Sequence, residues 1–445
     1  MARARSSSNR LLLAALLDAL SAGRFGVADL VERQLAAYER WEPQLHAFAW
    51  FDPNVVKTAA READAWEAGP QQPLHGVSVG IKDIFDTAGI PTEYGSPVFK
   101  GRIPTEDARA VTRLVAAGAI VFGKTVTAEL AYFAPGPTTN PWSPRRTPGG
   151  SSMGSAAAVA AGVIPCSIGT QTNGSVIRPA AFCGVVGFKP TAGRLPTEGA
   201  LRFSPSLDQV GSFARDVFGA ASLAAIVAGD SPADWTPENS STGPPALAVV
   251  RTPEWGSVEQ AARLNFDHCL AMLLDAGAEL HELEMPTVIA QALAVHRTIM
   301  AVEAHQYIGP LVAGAQNLVS PQMLTLLDEG ASGSGAVYRD ALRQRDLIRD
   351  ELDRWSAGFD AIITPPAFGE APDIGTTGSP TFCTRWTLVG APAITLPSGL
   401  GPNQLPLGLQ LVGQMDRDSI LIRVARWVET ALPPMPRPKA SRRRS

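Results

Sequence analysis

Lysine is scarce in this sequence. Only six of its 38 basic residues are lysine, at positions 57, 82, 100, 124, 189 and 439, and the other 32 are arginine. Arginine keeps its charge in proteins, whereas lysine can lose its proton when it is buried. A lysine inside an apolar segment is therefore a candidate for a base, a role that arginine cannot fill.

Charge and cysteine are also sparse, and each scarcity excludes a class of function. Charged residues make up 18% of the chain and the net charge is -4, so we expect no basic surface for nucleic acid. The four cysteines lie far apart, at positions 166, 183, 269 and 383. They form no CxxC pair and show no histidine spacing typical of zinc or redox sites. We expect buried thiols in a reducing compartment, with no metal and no cofactor.

Long apolar runs are missing as well. No stretch approaches the roughly 18 apolar residues of a membrane span, so no membrane association is expected. Arg3, Arg5 and Arg10 precede an apolar run, Leu11 to Leu17, as in a secretory leader. Asp18 ends that run after seven residues, and no convincing cleavage site follows. The sequence therefore predicts a cytoplasmic protein.

What is present is the pattern of a large α/β protein. Residues 11–65 show helical spacing of apolar residues, and short apolar runs separated by glycine and proline follow from position 74. Residues 215–355 are more helical and polar, with a loop expected at Glu329 to Gly335. A second apolar block follows, from 359–366 to 405–413, so we predict one sheet built from both ends of the chain. The Pro/Arg tail, 433–445, is expected to be disordered, with a partner-binding role as the alternative.

Two short motifs match known sequence patterns but lack the neighbouring secondary structure that those patterns require. GAIVFGKT, from Gly118 to Thr125, fits the phosphate-loop expression, but its middle residues favour a strand, so Lys124 is expected to be structural. GSSMG, from Gly150 to Gly154, fits the GxSxG elbow around Ser152, but RRTPGG precedes it instead of a buried strand. The six histidines, at positions 46, 75, 268, 281, 296 and 305, lie in ordinary helix or loop sequence and are expected to be structural.

The segment Thr147 to Thr191 carries the densest set of polar and small residues. A Gly/Ser loop leads into a helix of small residues, Ser155 to Ala161, then a strand, Val163 to Ile168, then a second loop, TQTNGS. Because alanine has little side-chain reach, this helix must hold the two loops close together. Successive backbone amides ahead of Ser175 could form an oxyanion hole. Serine and glycine also build ordinary turns and caps, so both interpretations stand.

A hydroxyl nucleophile needs a base, and Lys82 lies within the strand-like run GVSVGIKDIF. Burial in an apolar site would bring the pKa of its amine toward neutrality. The alternative is an ion pair with a neighbour such as Asp83, and the spacing alone does not separate the two.

These segments together resemble the amidase signature family. GGSSMGSAAAVAAG, GTQTNGS and CGVVGFKPT match its signature block in order, and GVSVGIKDIFDTAGIPTEYGS resembles its lysine block. The similarity extends over about residues 11–430 and is weakest in 215–355. It implies one domain, 1–432, with a central mixed β-sheet flanked by helices on both faces. Its parts would be a helical segment (11–65), a signature core (74–215), a substrate-shaping region (215–355) and a sheet-completing part (356–430).

The resemblance also implies a catalytic site. Ser175 would be the nucleophile, Ser151 a bridging serine with an unusual cis peptide bond, and Lys82 the base. The oxyanion would be received by the backbone amides of residues 172–175, which are Thr172, Asn173, Gly174 and Ser175. Ser152 and Thr170 match positions that support this network by hydrogen bonding.

Two departures from the family pattern bear on the substrate. Many members have GTDTGGS, whereas this chain has Gln171 and Asn173, and the Asn173 side chain is expected to narrow the pocket. Arg178 stands three residues after Ser175, an order that resembles malonamidase-like members, in which the matching arginine holds a substrate carboxylate. The alternative is a structural arginine paired with a buried acid.

The resemblance therefore predicts an amidohydrolase that converts a small or medium carboxamide, through a seryl acyl-enzyme, into a carboxylate plus ammonia or an amine. One alternative is an amidotransferase A-type subunit that delivers ammonia within a complex. Another is a catalytically silent scaffold, although all three triad residues are present. The sequence does not identify the substrate or the oligomeric state, and a homodimer is one possibility.

Overall fold

An 11-stranded sheet runs through the centre of the structure. The computed structural model describes residues 12–65, 69, 71–236 and 243–440. The spatial order of the strands is β1-β3-β2-β4-β6-β5-β10-β11-β9-β7-β8. Their bounds are β1 Phe48–Trp50, β2 Ser78–Lys82, β3 Ile120–Thr125, β4 Cys166–Gln171, β5 Val186–Lys189, β6 Gln209–Ala214, β7 Ala246–Val249, β8 Glu279–Glu282, β9 Ala361–Thr364, β10 Ala393–Leu400 and β11 Pro406–Val412.

The sheet is mixed, and it is assembled from both ends of the chain. β2 pairs in parallel with β3 and β4, while β4, β6, β5, β10, β11 and β9 pair in antiparallel fashion. The junction is the antiparallel pair of β5 and β10, which brings Phe188 opposite Ile394 across a long separation in sequence. The predicted single sheet formed by both apolar blocks is confirmed.

Helices cover both faces of this sheet. In β6, neighbouring residues Phe213 and Ala214 belong to two different apolar clusters, as the alternation of side chains along a strand requires. The helices are α1 Leu13–Ser21, α2 Val27–Leu45, α3 Pro53–Asp64, α4 Arg109–Ala116, α5 Met153–Ala161, α6 Ile177–Cys183, α7 Val217–Ala228, α8 Pro232–Trp235, α9 Gln260–Asp275, α10 Thr287–Ala290, α11 Ala292–Tyr307, α12 Gly309–Val312, α13 Pro321–Ser332, α14 Gly335–Trp355, α15 Thr381–Val389 and α16 Asp418–Ala431. Helices α2, α3 and α5 contribute to one cluster, and α4, α7 and α11 to the other.

Two local predictions differ from the structure. The strand predicted at Val163 to Ile168 begins only at Cys166, because Pro165 has no N–H for a strand ladder. The loop expected from Glu329 is helical as far as Ser332. Gly330 serves close packing there, since a Cβ at this position would lie 2.0 Å from the carbonyl oxygen of Ala301 in α11.

The middle segment contributes two strands that the sequence analysis did not anticipate. β7 pairs in parallel with β9 and with the edge strand β8. Residues 215–355 are therefore not a helical insertion alone, because they also extend one edge of the sheet.

The chain ends differ in how far the structure describes them. Residues 433–440, for which the sequence predicts disorder, have no regular secondary structure, and a Cβ on Gly184 would lie 3.2 Å from the terminal methyl of Met435. Its prolines lack the amide hydrogens that regular structure needs. The rest of the tail, 441–445, and the leader-like residues 1–11 lie outside the described residues. Within the described ranges, no helix has the length and apolar character needed to cross a bilayer.

Candidate active site

Lys82 is the last residue of β2, and its side chain is completely buried. Its Nζ atom donates to Ser151 Oγ at 2.8 Å and to Thr170 Oγ1 at 2.9 Å. Burial lowers the pKa of its amine to about 7, and the charge of Asp208 opposes part of that shift. The predicted alternative, an ion pair with Asp83, is wrong, because Asp83 pairs with the buried Lys124 at 3.2 Å.

Ser151 follows a cis peptide bond with Gly150, and Ser152 separates it from the start of α5. The carbonyl of Ser151 accepts from the amides of Ala128 and Met153, at 3.0 and 2.8 Å. The close packing expected of α5 is most visible at Gly154, where a Cβ would lie 2.0 Å from the carbonyl oxygen of Ala47. The small residues of this helix therefore bring the Gly/Ser loop against the end of β2.

Ser175 lies in the loop between β4 and α6, and its side chain lines a cavity. Gln171 closes this loop, because its Oε1 accepts from the amides of Val176 and Ile177 at 2.8 and 3.0 Å. Within the described part of the chain, the hydroxyl of Ser175 makes no hydrogen bond, so its contact with Ser151 is not formed in this conformation. Catalytic hydrogen bonds are often long before substrate binds.

The backbone of the same loop is held by side chains from outside the signature block. Thr172 donates its hydroxyl to Asp208 Oδ1 at 2.6 Å, and its carbonyl contacts His296 Nε2 at 2.8 Å. The carbonyl of Asn173 accepts from Thr387 Oγ1 at 2.5 Å. Among the described residues, the amides of 173, 174 and 175 have no acceptor. Three adjacent N–H groups are thus free to bind a developing negative charge.

Asn173, whose side chain the sequence predicts to narrow the pocket, lines the cavity. Its Oδ1 accepts from Thr384 Oγ1 of α15 at 2.6 Å. Ser152 and Thr170 are joined as expected of supporting residues, since Ser152 Oγ donates to the carbonyl of Thr170 at 3.2 Å. The loop conformation is therefore fixed by hydrogen bonds on several sides.

Arg178 extends from α6 into the wall of the cavity and is 1% exposed. Its Nη2 donates to the carbonyl of Gly150 at 2.7 Å and contacts Thr377 Oγ1 at 3.5 Å. Nε and Nη1 are buried without a hydrogen-bond partner, and no described acid forms an ion pair with this side chain. Burial lowers its pKa to about 10, so the guanidinium remains charged at neutral pH.

The cavity beside Ser175 has an empty volume of about 280 Å³, which includes space open to solvent. Its remaining walls are largely apolar or aromatic and include Tyr132, Phe133, Phe203 and Met300. Sequence reasoning missed these residues and His296, because none belongs to a motif. One signal was present in α11, where His296, Met300 and Glu303 recur at helical spacing. Two polar groups on the buried face of a helix indicate specific partners inside the molecule.

The other sequence candidates fall outside this constellation. The segment that fits a phosphate loop forms strand β3, and Lys124 is a structural lysine inside it. Ser152 precedes α5 and does not follow a strand. Among the histidines, His296 alone is classed as fully buried. No group of three or more His, Cys, Asp or Glu side chains in the described ranges is arranged to hold a metal ion.

Comparison with known proteins gives matches along nearly the whole chain. The family model described as Amidase matches residues 29–422. The A-type subunit of the glutamyl-tRNA(Gln) amidotransferase of Anaeromyxobacter sp. (strain K) is 36% identical, over 92% of this chain and 94% of that protein. A crystal structure of an amidase superimposes with a TM-score of 0.87 and 31% identity, covering 95% of this chain and 100% of that one. The 6-aminohexanoate cyclic dimer hydrolase gives a TM-score of 0.87 at 26% identity, with 96% and 98% covered.

Proposed function

Because the chain belongs to the amidase signature family, we propose that it cleaves the C–N bond of a carboxamide through an acyl-enzyme on Ser175. The observation that carries this proposal is the contact of a fully buried Lys82 with Ser151, at 2.8 Å. Lys82 also donates to Thr170 in β4, the strand that leads into the cavity loop with Ser175 and its three amides without an acceptor.

Proton transfer in this proposal runs through the two serines. Neutral Lys82 removes a proton from Ser151, which removes one from Ser175 as its Oγ attacks the carbonyl carbon. The C–N bond then breaks, and the relay returns a proton to the leaving nitrogen. Water attacks the resulting ester by the same route, releases the carboxylate and restores Ser175. The lowered pKa of Lys82, about 7, supports this role, because a base must be deprotonated at the start.

The tetrahedral oxyanion would be received by the backbone amides of residues 172–175, as the family resemblance implies. Free N–H groups at Asn173, Gly174 and Ser175 support this assignment. Such N–H donors stabilise the transition state most when they are already oriented before the negative charge develops.

On the substrate side, we propose that Arg178 holds a carboxylate on the acyl portion. A buried guanidinium with two unbonded nitrogens, Nε and Nη1, is costly unless an anion completes its hydrogen bonds. The alternative of a structural ion pair lacks support, because no described Asp or Glu pairs with Arg178. The small, mostly apolar cavity favours a short acyl chain.

A second function is favoured by the names of the curated relatives. The relative from Anaeromyxobacter is an amidotransferase A-type subunit, and this supports the amidotransferase alternative more strongly than simple hydrolysis. Amide cleavage on Ser175 would be common to both, and they differ in whether the ammonia is released or delivered within a complex. The amidase and hydrolase among the structural neighbours keep free hydrolysis as the other candidate.

A test of the shared chemistry combines covalent labelling with turnover. We expect a fluorophosphonate probe to label the wild-type protein at Ser175, and peptide mapping would identify the modified residue. The variant Ser175→Ala should neither be labelled nor release ammonia from a panel of primary carboxamides. Labelling of another serine, or unchanged turnover by Ser175→Ala, would refute the assignment. A wild-type protein that is not labelled would instead favour the silent scaffold.

A further inference from the structure

Two consecutive peptide groups of the cavity loop each have a carbonyl that is hydrogen-bonded by a side chain from a helix outside the loop. A trans peptide group is planar, and its C=O and N–H point in opposite directions. Fixing the carbonyl of Thr172 therefore fixes the direction of the Asn173 N–H. In the same way, fixing the carbonyl of Asn173 sets the direction of the Gly174 N–H. Both of these N–H groups lack an acceptor among the described residues.

His296 holds the first of these carbonyls. It is buried in α11, and its Nε2 lies 2.8 Å from the Thr172 oxygen. A carbonyl oxygen can only accept, so Nε2 carries the hydrogen in this pair. Burial lowers the pKa of the ring to about 4, so it remains neutral near pH 7. The imidazole is thus a fixed N–H donor behind the loop, and it does not contact Lys82 or Ser151.

Thr387 holds the second carbonyl from α15. Its Oγ1 donates to the Asn173 oxygen at 2.5 Å, which is closer than the Cys383 oxygen of its own helix at 3.1 Å. It also accepts from Gln171 Nε2 at 2.9 Å. Gln171 in turn accepts from the two amides that follow Ser175. The hydroxyl of Thr387 therefore belongs to a continuous chain of hydrogen bonds around the loop.

We propose that His296 and Thr387 are positioning residues for the oxyanion hole. By donating to two consecutive carbonyls, they orient the N–H groups of Asn173 and Gly174 toward the substrate. Hydrogen bonding at each carbonyl also polarises its peptide group and makes the opposite N–H a better donor. This inference rests on the proposed function, because it assigns the two N–H groups to an oxyanion formed at Ser175.

Matched pairs of variants separate the donor from the side chain that carries it. His296→Gln keeps an N–H at a similar reach, whereas His296→Leu removes it. Thr387→Ser keeps the hydroxyl, whereas Thr387→Val removes it with little change in shape. The readouts are the rate of fluorophosphonate labelling at Ser175 and, with any amide that the protein turns over, kcat and KM. Thermal melting would accompany each variant to measure its stability.

Removing a direct oxyanion donor costs about 10²- to 10³-fold in kcat, and the loss of its orientation should cost less. We expect His296→Leu and Thr387→Val to lower both kcat and the labelling rate about 10-fold, with KM changed less than about threefold. His296→Gln and Thr387→Ser should stay within about threefold of the wild type. Equal rates in both members of each pair would overturn the inference, whatever their melting temperatures.

The two readouts also separate this inference from the proposed function. If no amide in the panel is turned over but Ser175 is labelled, amide cleavage by the isolated protein is contradicted, while the labelling rates still decide the roles of His296 and Thr387. If either leucine or valine variant fails to fold, the other pair retains the comparison. A wild-type protein that is not labelled at all would overturn both proposals.

Discussion

The chemistry proposed for Lys82 depends on its burial, because solvent would keep the amine protonated. Its pKa of about 7 lies well below the ordinary value for lysine, and burial is the main cause. A base acts in its deprotonated form. We therefore expect kcat/KM to rise about tenfold per pH unit below pH 7 and to level off above it. A pH–rate profile on one amide would measure this, and a flat profile from pH 5 to about 9 would contradict it.

Replacement of Lys82 by arginine tests the same group directly. Guanidinium does not give up its proton in proteins, so Lys82→Arg should abolish detectable turnover. Lys124→Arg is the matched control, because Lys124 is also fully buried but contacts Asp83 instead of Ser151. Ammonia release and thermal melting would be measured for both. Turnover like that of the wild type in Lys82→Arg would remove Lys82 from the mechanism.

Replacement of Arg178 tests the substrate proposal directly. Arg178→Gln removes the charge but keeps an N–H donor. Loss of a charge-assisted hydrogen bond of about 2 kcal/mol corresponds to an increase of roughly 30-fold in KM for amides that carry a carboxylate. Uncharged amides should change less than about threefold. Steady-state kinetics on malonamate and a neutral amide of similar size would compare them, and equal losses would assign Arg178 a structural role.

At the scale of elements, α5 sets how closely the two loops approach. Gly154→Ala should destabilise the protein, because the new Cβ would lie 2.0 Å from the Ala47 oxygen and 2.5 Å from the Val126 nitrogen. Both are backbone atoms that cannot move aside, so we expect a loss of about 3 kcal/mol or more. Gly256→Ala is the control, since a Cβ there meets nothing within 4 Å. Urea unfolding would measure both, and equal midpoints would contradict the packing argument.

The sequence predicted those elements whose signals are local. Strand and helix alternation, the close-packed α5 and the contact of Lys82 with Ser151 follow from short stretches or from the family resemblance. The residues that line the cavity from α11 could not be predicted in this way. Met300 reaches the pocket only because the helix packs against loops far away in sequence. Such contacts depend on tertiary structure, and a single sequence does not encode them in a motif.

At the scale of the whole molecule, the sheet joins the two halves of the chain around the candidate site. β4 and β2 supply Thr170 and Lys82, while α15, which precedes β10, supplies Thr384 and Thr387. Because β10 pairs with β5, the preceding helix α15 lies against the cavity loop. The site depends on the complete sheet and not on the signature block alone.

A site completed within one chain leads to the last prediction. Since every group proposed to act belongs to a single chain, we expect the isolated protein to release ammonia from a primary carboxamide without another protein. The rate per chain should not change with protein concentration, because all the groups proposed to act lie in the same chain. Purified protein would be assayed over a dilution series, with Ser175→Ala as the control for background release. Ammonia release that appears only after other proteins are added would instead support the amidotransferase alternative, which the names of the curated relatives favour. A rate that falls on dilution would show that the active form is an oligomer.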